Sequence, residues 1–171
     1  MRRAVLVLTS TLFLACAGIW TGSIIAVGGI AAPVIGREVL DPEPSAVIVH
    51  ILRRSTGASV GLLAAMLALS LLDNGYRRRS ADRLWGFLRT AFVVASLGLT
   101  LYLQVWLLPR MEHLRLAGDP APFEAMRQTC EGIGQVLLLL GVASIGATSA
   151  LNVGRRRRPK PEETTVGPVV P

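Results

Sequence analysis

Apolar residues fall in four long runs, and no stretch alternates polar with apolar side chains, so paired strands are not supported. The first run extends from Ala4 to Ala32 without a charge. A second covers Ser55 to Leu72, inside a helix that the pattern starts near residue 45. A third covers Leu84 to Leu108, interrupted only by Arg89, and a fourth covers Gly132 to Val153. Crossing a bilayer takes about 20 apolar residues in helical form. The pattern therefore predicts an all-α membrane protein, a bundle of four transmembrane helices over residues 4–32, 45–72, 84–108 and 132–153. Residues 1–153 form this domain, and 154–171 are a polybasic, Pro-rich, disordered cytoplasmic tail.

Composition agrees. Charged residues make up 17% of the 171-residue chain, against about 25% in soluble domains. Mean hydropathy is +0.52. Arg2 and Arg3 before an apolar run with Ala15-Cys16-Ala17 resemble a cleavable signal, yet the run continues through Trp20 to Ala32. A retained first helix is expected. Cys16 and Cys130 are expected to be unpaired.

The net charge of +7 points to a membrane surface, not to nucleic acid, in so apolar a chain. Eleven Lys and Arg lie on the side of the N-terminus and six on the other, with Arg89 within a span. That bias predicts cytoplasmic N- and C-termini. The run Arg155 to Arg158 is expected to contact anionic lipid at the cytoplasmic face.

Small residues at four-residue spacing predict close helix packing through Gly18 and Gly22 on the first helix and Gly57, Gly61 and Ala65 on the second. Packing within one chain is the favoured reading; a homo-oligomer or a protein partner in the membrane is the other. Pro33 and Pro109 are expected to end the two outward helices, with Gly28-Gly29 a place where the first loosens. Each outer loop carries a Pro-x-Pro phrase behind an aspartate, at Asp41 and Asp119, as at a helix start. The two hairpins run in the same sense, as in parallel helical-hairpin repeats. Short outer loops that merely favour Asp and Pro are the alternative.

Candidate chemistry is sparse. No mid-span carboxylate is expected, and Arg89, five residues into its helix, is expected to snorkel to the headgroups. No phosphate-binding loop, nucleophile elbow or C-x-x-C is present. Catalytic, cofactor and metal residues are accordingly expected to be absent. The remaining polar candidates gather on the outer face: His50, Arg53, Arg54, His113 and Arg127. Arginines there favour an anionic ligand or a lipid headgroup. Salt bridges to Glu38, Asp41, Glu112 or Glu131 are the blander role.

Trp20-Thr21-Gly22, Ala32-Pro33-Val34-Ile35, the segment Ala46 to Arg54 and Leu108-Pro109-Arg110-Met111 together resemble bacterial relatives of human transmembrane protein 205. The resemblance covers about residues 18–150. The chain departs from that pattern after Phe123, where Arg127 and Cys130 replace a histidine phrase. The resemblance implies a four-helix protein of a bacterial inner membrane and supplies no biochemical activity. The function expected is that of a structural, lipid-interacting or accessory subunit. The alternative is a membrane enzyme of the anthrone-oxygenase-like type, or a haem- or metal-binding redox carrier using the outer histidines.

Overall fold

In the computed structural model, residues 2–31, 44–76, 80–118 and 120–156 are described. α1 spans Arg2–Ile24 and widens into a π-helical segment, Ile25–Ala31. α2 spans Pro44–Gly75. α3 spans Ser80–Tyr102, opens into a second π-helical segment, Leu103–Leu107, and continues as α4, Leu108–Ala117. α5 spans Pro120–Arg156. Four of the resulting helices are long and apolar enough to cross a membrane, and no strand occurs among the described residues. The all-α four-helix membrane fold is as the sequence pattern has it.

Two boundaries differ. The third span does not stop at Pro109, because Pro109 falls in the first turn of α4, where a missing N–H leaves no bond unmade. The wide turn before it supplies the register change, with the Leu108 N–H donating to the Leu103 carbonyl. α4 ends at Gly118, whose φ of 70° is the left-handed cap that glycine favours. α5 begins at Pro120, well before its apolar stretch, and carries Glu124, Arg127, Gln128 and Glu131 in its second and third turns. Pro33, Asp41, Asp119 and the tail after Arg156 lie outside the described residues.

α1 packs on α2 and α5, and α3 packs on the same two helices. α1 and α3 therefore stand on one diagonal, α2 and α5 on the other. Phe13, Ala17 and Trp20 line the inner face of α1; Arg89, Val93 and Ser96 occupy the matching places on α3. On the other diagonal, Ser59, Leu63, Met66, Ser70 and Asp73 of α2 match Leu137, Gly141, Ser144, Thr148 and Leu151 of α5, all buried. The alternating four- and three-residue spacing of buried positions on each of these helices is that of a packed helical bundle.

The inner faces are marked by Ser and Thr. Ser96, Thr100, Ser144 and Thr148 are buried, and each hydroxyl donates to a carbonyl of its own helix at 2.8–2.9 Å. Such back-bonding lets a small polar residue lie inside without an orphaned donor. Glycine supports close approach at Gly86 and Gly141. A Cβ on Gly141 would stand 2.6 Å from Thr21 Oγ1 and 3.1 Å from the Trp20 ring; one on Gly86 would run into the Asn74 amide. By contrast Gly18, Gly22 and Gly61 are exposed, with nothing within 4 Å of a built Cβ, and Ala65 is exposed as well. The within-chain packing expected of them falls to Gly86 and Gly141. Gly57 is the one of that set where a built Cβ would meet another segment, 3.7 Å from Gln104 Nε2, an ordinary van der Waals contact.

Candidate functional site

The five outer-face candidates do not converge. His50 and Arg53, exposed one turn apart near the start of α2, line an open hollow of about 420 Å³ with Val47, Val49, Ile51 and Glu112. Glu112 comes from α4 and also accepts a hydrogen bond from Arg115 at 3.0 Å. The hollow is thus aliphatic along α2 and charged at its edges. Arg54 and His113 are exposed and are not among its lining residues. Arg127 is engaged along α5, donating to Glu124 at 2.7 and 2.8 Å and pairing with Glu131. The structure brings together two of the five candidates and adds Glu112 as their neighbour.

At the opposite end, where α2 finishes and α3 starts, a buried polar cluster stands where none was expected. Arg89 is fully buried and does not snorkel. Its Nη2 lies 2.8 Å from Asp73 Oδ2, and Asp73 is buried on α2, not set in a loop. Arg89 Nε donates to Ser70 Oγ at 3.1 Å, and its guanidinium lies 4.8 Å from the Phe13 ring centroid. One arginine thus joins α1, α2 and α3. Beside it the Asn74 amide donates to Thr90 Oγ1 at 2.9 Å and to the Gly86 carbonyl at 3.3 Å.

Burial favours such a pair only when both charges are matched and bonded, because each alone is costly in low dielectric. The inner-face register of Ser59, Ser70 and Asp73 on α2, and of Arg89, Ser96 and Thr100 on α3, was the available signal. Chemically the pair is a tie between helices. Among the described residues no group of three His, Cys, Asp or Glu is placed to hold a metal ion.

Two further features mark the far end. Tyr102 and Trp106 stack at 5.2 Å, and the Arg110 guanidinium lies 5.0 Å from the Trp106 ring. All three are exposed, an arrangement suited to a membrane–water interface. Gln104, within the π-helical turn, accepts a hydrogen bond from the Thr56 hydroxyl and so fixes that turn against α2.

Residues 15–120 match the model of the family described as Domain of unknown function (DUF4149), and the chain belongs to that family. The match runs from mid-α1 to the first residue of α5. Comparison with curated proteins and with solved structures finds no match in either.

Proposed function

We propose that this member of the DUF4149 family is a non-enzymatic, lipid-interacting protein of a bacterial cell membrane, related to the transmembrane protein 205-like group. The observation that carries the reading is the hollow at the start of α2. Val47, Val49 and Ile51 offer an apolar wall, Arg53 and His50 a basic edge, and Glu112 an acidic one. An amphiphile matches that layout: acyl chain along the aliphatic wall, phosphate at Arg53, and a headgroup amine at Glu112. The basic run after α5 acts in the same sense at the other surface, attracting anionic lipid at about 1 kcal/mol per charge.

Native mass spectrometry of the detergent-purified protein tests the reading. A retained phospholipid is expected, lost or strongly reduced in an Arg53→Gln, His50→Ala variant of unchanged thermal stability. Retention unaffected by that pair of substitutions overturns it. In this reading any partner, a second copy or another membrane protein, meets the outward faces that carry Gly18, Gly22, Gly61 and Ala65.

A further inference from the structure

Sulfur gathers at the end of the bundle away from the N-terminus. Met111 of α4 is buried, and the Cys130 thiol of α5 donates toward its thioether, Sγ to Sδ 3.3 Å. Met126 stands one turn before Cys130, on the same face of α5. All three pack into one apolar cluster with Val49 and Leu108. A thiol and two thioethers from two helices make a donor set of one chemical kind, soft and polarisable, with hard oxygen donors outside it.

We propose that Cys130, Met111 and Met126 form a binding site for a soft monovalent cation, Cu(I). Two sulfurs of a three-coordinate site, each about 2.3 Å from the metal, stand roughly 4.0 Å apart at a trigonal angle. The Cys130–Met111 pair, 3.3 Å apart, therefore needs to open by about 0.7 Å, which an unbranched methionine side chain accommodates. On binding, the Cys130 S–H bond breaks, its proton passes to water, and the thiolate takes the cation. Copper stays in the +1 state and no electron moves. The product, one thiolate and two neutral thioethers on one monovalent cation, carries no net charge and so suits an apolar cluster. Val49 borders both this cluster and the hollow at the start of α2, which gives the cation a way in. The site does not depend on the lipid reading, since none of its donors lines the hollow.

The test is an anaerobic titration of the full-length, detergent-purified protein with Cu(I) against bicinchoninate as a competing chelator. One Cu(I) per chain is expected, and no retention of Zn(II) under the same conditions. Cys130→Ser should abolish stoichiometric binding. Met111→Leu and Met126→Leu, which conserve volume and keep the apo protein's thermal midpoint, should each weaken binding about tenfold. Wild-type protein that never competes with the chelator overturns the proposal. So does binding that survives Cys130→Ser but disappears in a His50→Ala, His113→Ala variant.

Discussion

Arg89 and Asp73 sit at matching depths on antiparallel helices, Asp73 directly before Asn74 and Arg89 one turn after Gly86, and both are buried. Their attraction acts in a medium of low dielectric, where removing one partner leaves the other charge without its match. Arg89→Leu or Asp73→Leu alone should therefore destabilise the detergent-solubilised protein by about 3–5 kcal/mol. The double variant should recover most of that loss, because two apolar side chains of similar size leave no charge behind. Thermal unfolding of the two single variants and the double one measures the coupling. Additive losses would show that the pair does not act as a unit. The sequence alone placed Arg89 close enough to a helix end to reach water, and only its position on the inner stripe argued otherwise. The same holds for Asp73, which an apolar window ending at Leu72 assigns to the following loop.

Among the elements, the four spans were legible because runs of this length and composition have few alternatives. Their faces were harder to read. In lipid, leucine gains little from being inside, so large apolar residues do not reveal the inward side as they would in a soluble bundle. Ile19, Val94, Val105 and Leu139 are all exposed. Glycine and alanine stripes gave no better guide, since Gly18, Gly22, Gly61 and Ala65 look outward in the single chain, while Ser and Thr mark the interior. Part of the candidate site was equally hidden: His50 and Arg53 stand out near a helix start, but Glu112 joins them only because α4 continues past Pro109. A comparison of glycines follows from the packing. Gly141→Ala should lower stability by about 1–3 kcal/mol, since its methyl group meets a β-branched Thr21 and the Trp20 ring. Gly61→Ala has open space around it and gains helix propensity, so it should be neutral or stabilising by about 0.5–1 kcal/mol. Thermal midpoints in one detergent decide the order, and equal losses at both positions would contradict the packing described.

At the scale of the whole molecule, Phe13 and Arg89 meet across the bundle axis from matching places on diagonal helices. At this end of the bundle α2 and α3 are joined by an ion pair, while α1 and α5 contribute the buried Phe13 and Leu151. Four consecutive spans alternate in direction, which fixes the relative direction of all four helices without saying which side is cytoplasmic. Charge supplies that choice. With Asp73 and Arg89 withdrawn into the bundle, the sequence from Gly75 to Leu84 holds Arg77, Arg78, Arg79 and Arg83 against Asp82, and four alternating spans put it on the side of Arg2, Arg3 and the Arg155 to Arg158 run. Lys and Arg in short loops are held back from translocation, so that side should remain in the cytoplasm. Reporter fusions after Asn74 and after Arg158 should read inside, and one after Gly118, at the cap of α4, should read outside. An outside reading at Asn74 would reverse the orientation, and it would place the His50–Arg53 hollow and the sulfur cluster on the cytoplasmic surface.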